Sequence, residues 1–505
     1  MVMRFLIAYT FVTFLSIPTF AQGIAREEIE MAAARELPDA VEELRQFLQL
    51  KNDGHYPDQI QANLNWCLDA MKKRKFETRV LGAENVPHIF AQRIYNSKLP
   101  TVLVYIQVDG QPVDPGSWDQ KDPFEAVLKQ KVEEQWKVVD WNLPYHPDSR
   151  IFARSASDSK GPALSFLSAL DILDANGWRP QFNIKIIMDF QEEMGSPTLP
   201  AIVSQNKELL AAKYLLIMDG TRHISNLPTL NFGARGLAEI TLKVFGAKGD
   251  LHSGQYGNFA PNPVFKLAKL LAAMKDEEGR VVIPGFYEGV TLSETEKVMI
   301  NSVPENKDQL MKTLGIAAYD RVGDTYQEAL QYPSLNVLGL KAATIGKEAN
   351  TIIPAEAIAE LDIRLVPETP GERQVELLKS FIRAKGFHFV NGAPTEEERN
   401  SFTHLISMEY SLGSKPFRTD LNSPMGQWLD LAMERVFGKG NYVKQRATGG
   451  SQPIEPFIST LGIPAVSIRI PNPDNSIHAA NENIRMGNFL EGIQMCVSIL
   501  TQKIN

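Results

Sequence analysis

The chain has 505 residues, 44% of them hydrophobic and 22% charged, with a formal net charge of −8. That length allows about two to four domains with real cores, and the composition excludes wholesale disorder. The acidic balance argues against a nucleic-acid partner, which calls for a basic face, and two cysteines exclude a disulfide framework or a Cys-rich metal site, so Cys67 and Cys496 are expected as separate thiols.

In chain order, the first residues read as a secretory signal peptide. Arg4 supplies a positive charge, residues 5–17 are almost purely apolar, and Pro18 precedes the small residue Ala21, after which cleavage is expected. The run is shorter than the roughly 20 residues of a membrane span, and none of the later apolar runs approaches that length, so an exported, soluble chain with no membrane partner is expected. From about residue 90, β-type and α-type segments alternate. Residues 101–109 (TVLVYIQVD), 182–190 (FNIKIIMDF), 214–219 (YLLIMD) and 463–470 (IPAVSIRI) read as buried strands. Residues 162–175 have helical spacing and end at the C-cap pair Asn176-Gly177. The pattern predicts an α/β fold with a mostly parallel sheet covered by helices. Acidic residues stand at or just past three strand ends, the edge where such sheets bind ligands.

The middle of the chain differs. Residues 236–245 (GLAEITLKVF) alternate at period two, a helix follows at 263–274, strands at 334–342 and 357–365, and a helix at 371–384. This order predicts a smaller α+β domain of the split βαβ kind, inserted over 229–415 with an irregular excursion at 279–333. The larger domain would comprise 22–228 and 416–505, with a further helix at 423–436.

Four sites stand out. Asp158 precedes a helix in SDSKG, Glu192 and Glu193 follow a strand in QEEMGS, Asp219 closes YLLIMD, and His478 lies in SIH. Carboxylates plus imidazole suit Zn²⁺, with Mn²⁺ or Co²⁺ less selectively. Neighbouring side chains of extended backbone point apart, so one glutamate of the pair can hold a metal while the other handles the proton of a metal-bound water. Singly, each residue also reads as a cap, a solvated loop pair or a core histidine.

Nine motifs occur in one order: VDGQPVDPGSW, SASDSKGP, QEEMGS, GARGL, DLHSGQYGNFAPNP, NTIIP, IRLVP, ATGGSQP and IHAANENI. Over about residues 30 to 500 the chain resembles the M20 family of co-catalytic zinc metallopeptidases, in its dipeptidase branch. The resemblance implies a two-metal catalytic domain with an inserted lid or dimerisation domain, and hydrolysis of dipeptides or short peptides bearing a free C-terminal carboxylate. It implies that Asp158 bridges two metals, Glu193 and His478 complete one shell, Asp219 serves the other, and Glu192 is the general base. It further implies that His252 is an oxyanion donor, in many relatives across a homodimer interface, that Arg364, Thr351 and Ser451 contact substrate, and that a cis peptide follows Asp158.

Two departures matter. The family's first ligand is a histidine in His-x-Asp, where this chain has Gln107-Val108-Asp109; Asp109 keeps its place with no imidazole to orient. The usual Gly-Arg-Gly before the bridging aspartate is Ala153-Arg154-Ser155. A neutral amide oxygen is a poorer Zn²⁺ donor than imidazole. A tight metal beside Glu193 and a weak or absent one beside Asp219 are therefore expected, unless His146 or His223 stands in. Three outcomes compete: a hydrolase with unequal metals, a single-metal N-acyl amidohydrolase, and a non-catalytic peptide-binding relative.

Overall fold

The computed structural model describes residues 24–83 and 86–504. The expected signal peptide lies outside the described residues. The main sheet has eight strands in the order Glu77–Ala83, Val86–Arg93, Asn183–Asp189, Thr101–Gln107, Tyr214–Ile217, Ala465–Arg469, Thr229–Asn231, Val443–Gln445. Its centre, from Asn183–Asp189 to Ala465–Arg469, is parallel. The hairpin at one edge and Thr229–Asn231 near the other attach antiparallel.

The continuous apolar runs have a direct cause. Val102, Val104 and Ile106 pack under the helices Arg26–Leu48, Lys160–Asn176, Pro424–Phe437 and Met486–Thr501. Leu103 and Tyr105 point the other way, against Leu199, Ile202 and Phe457 from the helices Leu199–Gln205 and Glu455–Leu461. A strand covered on both faces has no polar side to alternate with. Lys160–Asn176 is buried along almost its whole length and stops at Gly177, whose φ of 67° lets its N–H reach the Leu173 and Asp174 carbonyls. Its buried Leu164, Leu167, Leu170 and Leu173 each add about 1.5–3 kcal/mol of apolar burial.

The inserted unit has a five-stranded sheet ordered Ser334–Lys341, Glu356–Leu365, Gly236–Phe245, Leu405–Leu412, His388–Phe389. Ala238, Ile240, Leu242 and Val244 face the helices Pro263–Ala272 and Gly371–Ala384, while Glu239, Thr241 and Lys243 between them stay accessible. The expected boundary at 229 is too early. Thr229–Asn231 belongs to the main sheet, and Gly233–Ala234 pairs with Phe417–Arg418, so the chain crosses just before Gly236. A three-residue strand between Pro228 and Gly233 carries too little periodicity to be read. The excursion holds the helices Glu294–Asn301, Lys307–Leu314 and Tyr326–Ala329 and turns back to the main unit, where Arg446 donates to Gln331 and Glu296 at 2.7 Å each.

A small sheet ordered Asn483–Arg485, Arg150–Phe152, Val127–Val132, Gln135–Val138 sets Asn483 opposite Phe152. It thereby brings the segment before Asp158 beside the segment after His478. Cys67 and Cys496 are free and buried. Among the described residues no helix is long and apolar enough to cross a membrane.

Candidate metal centre

The parallel strands deliver their ends to one edge: Gln107 and Asp189 close two of them, Asp219 lies just past a third, and Arg469 closes the fourth. There His478 Nε2 lies 2.9 Å from Asp158 Oδ2 and 3.2 Å from Glu193 Oε2. One donor atom from each of the three residues falls within 4.8 Å of the others. Hydrogen bonds to Asp158 and then Glu193 push His478 up to about 10.

Asp158 is presented by a residue that sequence reading passed over. Glu482, wholly buried, accepts from the backbone N–H of Ser155, Ser157 and Asp158 at 2.8–2.9 Å, from the Ser157 hydroxyl at 2.8 Å and from Arg154 Nη1 at 2.7 Å. Ser155 at φ 64° and His478 at φ 60° occupy the left-handed region, uncommon for residues other than glycine and found where surrounding contacts hold the backbone. The peptide between Asp158 and Ser159 is cis, as the resemblance implies.

The glutamate loop hangs on Asp189. Its carboxylate accepts from Gln191 N at 2.9 Å, Tyr105 Oη at 2.8 Å and Ser196 Oγ at 2.6 Å, with His88 Nε2 at 3.4 Å. Burial alone would raise its pKa, but these donors, His88 foremost, hold it at about 2. Glu192–Met194 is a 3₁₀ turn closed by Gly195 at φ 78°, not the extended pair the sequence suggests. The Asp189 bond to Gln191 N starts the turn, and the glycine ends it. The side chains still diverge. Glu193 meets His478 and accepts from Gln111 Nε2 at 2.8 Å, whereas Glu192 lines a cleft. Asp109, with no imidazole to hold, accepts the Glu193 N–H at 2.9 Å and so fixes the same loop. Burial pushes Glu192 well above the usual carboxylate range, and the charges of Asp219, Asp158, Glu193 and Asp109 add to it. Such crowded carboxylates stay anionic together only beside a cation.

The Asp219 side is built differently. Its Oδ2 accepts from Gln452 Nε2 at 2.6 Å. Ser159 Oγ sits between the groups, 2.8 Å from Asp158 Oδ1, 3.4 Å from Gln107 Oε1 and 3.5 Å from Asp219 Oδ1. Gln107 is buried, and among the described residues its Nε2 has no hydrogen-bond partner. The donor set of Asp158, Glu193 and His478 fits a divalent cation. Around Asp219, by contrast, no imidazole completes a set among the described residues, so that side does not fit a second. Neither candidate replacement imidazole joins in: His223 lines the cleft with Nδ1 3.0 Å from Ser225 Oγ, and His146 is exposed.

The cleft, about 1010 Å³, is walled by Asp158, Glu192, Asp219, Ser451 and His478, and by Glu305 and Tyr326 from the excursion. The other expected substrate contacts stand outside its walls. His252 is exposed on a short ladder with Ile352, next to Thr351, whose carbonyl accepts from Ser253 N at 2.9 Å. Arg364 is paired with Asp362 at 3.0 Å. Glu482, Gln452 and Arg469 are the site residues that sequence reading missed. Their signals were a glutamate four residues after His478, a glutamine in ATGGSQP and a charge closing an apolar strand.

The profile described as Peptidase family M20/M25/M40 matches residues 126–502. A Cys-Gly metallodipeptidase of Schizosaccharomyces pombe is 26% identical over 436 residues, 84% of this chain and 85% of that protein. A Beta-Ala-His dipeptidase of Rattus norvegicus is 26% identical over 482 residues, 90% of this chain and 91% of that protein. Among solved structures, the M20 family metallo-carboxypeptidase Sso-CP2 of Sulfolobus solfataricus superposes with a TM-score of 0.74 at 27% identity, covering 92% of this chain and 98% of that one. The chain belongs to peptidase family M20/M25/M40 and is a metallopeptidase.

Proposed function

We propose that this metallopeptidase hydrolyses dipeptides or short peptides with a free C-terminal carboxylate. Membership of the family and the two dipeptidase relatives support the reading. The observation that carries it is Glu192 opening into the cleft beside the trio of Asp158, Glu193 and His478. Those three would hold one divalent cation, Zn²⁺ by donor chemistry, with Mn²⁺ or Co²⁺ as substitutes. Such a cation, when bound, polarises the scissile carbonyl and makes water more acidic. Glu192, kept basic by burial and its anionic neighbours, takes the proton of the attacking water and hands it to the departing amine. Ser451, on the cleft wall, meets the substrate's carboxylate end.

His252, Thr351 and Arg364 reach substrate through a second copy of the chain. The inserted unit exposes Phe259, Phe265, Leu338, Leu340 and Ile345, apolar surface suited to a homodimer, with His252 as oxyanion donor to the partner's cleft. Export follows from the leader read over residues 1–21.

The test is a panel of dipeptides and N-acyl amino acids, assayed before and after chelation and after return of Zn²⁺, Mn²⁺ or Co²⁺. Dipeptide cleavage that disappears with the metal and returns with it is expected. Metal-replete protein that cleaves no dipeptide overturns the proposal. Selective cleavage of N-acyl substrates establishes instead the single-metal amidohydrolase, the second reading, favoured by the single trio that converges among the described residues.

A further inference from the structure

We propose that the guanidinium of Arg469 is the fixed cation of the Asp219 side of the centre, so that each chain holds one divalent ion rather than two. The inference rests on the metal reading above and adds a residue that reading does not use.

Arg469 closes the strand Ala465–Arg469, which runs beside Tyr214–Ile217, the strand that leads into Asp219 and Gly220. It is 7% exposed, lines the cleft, and has Nε and Nη2 buried without hydrogen-bond partners among the described residues. Gly220 makes room for it. At φ +91° it has the conformation glycine favours, and a Cβ there would collide with Nη1 and Cζ of Arg469. The same strand also sets the Asp219 amide: Ser467 Oγ donates to Gln452 Oε1 at 3.2 Å, and Gln452 Nε2 donates to Asp219 Oδ2.

An arginine cannot shed its charge by losing a proton, so a buried one needs anions nearby. The carboxylates whose charges act on Arg469 are Asp219 and Asp158. A second divalent ion at Asp219 would lie against this permanent positive charge, with the neutral amide of Gln107 where an imidazole is needed. The two residues act together: Gln107 withdraws a ligand, and Arg469 supplies the charge the ligand's metal would have brought.

Metal content per folded chain, measured by elemental analysis after dialysis against Zn²⁺ or Mn²⁺, tests this. The native chain is expected to hold one ion, and Gln107→His alone still one. The double variant Gln107→His with Arg469→Met should hold two. Asp219→Asn should keep one ion, while Glu193→Gln should lose it. Two ions in the native chain or in Gln107→His overturn the proposal but leave the metal reading intact, as does loss of the ion in Asp219→Asn. A native chain that binds no ion overturns the metal reading and the proposal with it. If the double variant does not fold, the native, Gln107→His and Asp219→Asn contents still decide.

Discussion

The two sides of the centre contrast in what stands behind their side chains. Beside Glu193, both carboxylate donors and the loops that carry them are held by dedicated partners. Glu482 shapes the Asp158 loop, Asp109 takes the Glu193 N–H, Gln111 bonds the Glu193 carboxylate, and Asp189 anchors the turn. Beside Asp219, one glutamine, Gln452, bonds the carboxylate, and the charge of the Arg469 guanidinium acts on it. A strand end that points a carboxylate at a cleft is thus not yet half of a metal site. The difference lies in whether a second carboxylate and an imidazole converge on it, as they do beside Glu193, or amides and a guanidinium do.

Four substitutions probe this contrast, in descending order of effect. Glu192→Gln should lower kcat by roughly 10²–10⁴-fold and leave metal content alone; steady-state kinetics beside elemental analysis measure both, and surviving activity would remove Glu192 from its role. Glu482→Gln leaves Arg154 without its buried anion and weakens the grip on Asp158, a loss of about 3 kcal/mol. Urea titration of the variant measures it, and an unshifted midpoint would mean the clamp adds nothing.

The third concerns pH. Asp189 is held at about 2 in the folded chain, below its unfolded value of about 3.9. Its stabilisation is therefore complete above about pH 4 and is lost as pH falls toward 2, about 2–3 kcal/mol in all. Urea midpoints between pH 5 and pH 2.5 should fall more steeply for the native chain than for Asp189→Asn; parallel curves would contradict it. The smallest effect is expected from Gln111→Ala, which should weaken metal binding about tenfold by freeing the Glu193 carboxylate. Competition with a chelator reads this directly, and an unchanged affinity would show that Gln111 does not support the site.

Much of the fold is legible in the sequence, for identifiable reasons. The four buried strands and the helix Lys160–Asn176 announce themselves by apolar runs of strand and helix length. The strand Gly236–Phe245 does so by alternation, since only one of its faces is covered. The helices Arg26–Leu48 and Pro57–Lys73 are less legible, as is the crossing near Gly236, which depends on pairing between short segments far apart in the chain. At the site, Asp158, Glu193 and His478 could be picked out because their residue types match metal chemistry. Glu482 could not, because a buried carboxylate that accepts backbone N–H groups looks in sequence like any surface glutamate. Arg469 was hidden in plain view, a lone charge at the end of an apolar strand. The exposed position of His252 follows from its place on the inserted unit, which no local pattern reveals.

The imidazole that meets Asp158 comes from 320 residues downstream, and the carboxylate that shapes the Asp158 loop from 324. A nascent chain that stops short of His478 has neither. The catalytic apparatus therefore comes into being only once synthesis has passed Glu482, and a product released before that point carries no working peptidase.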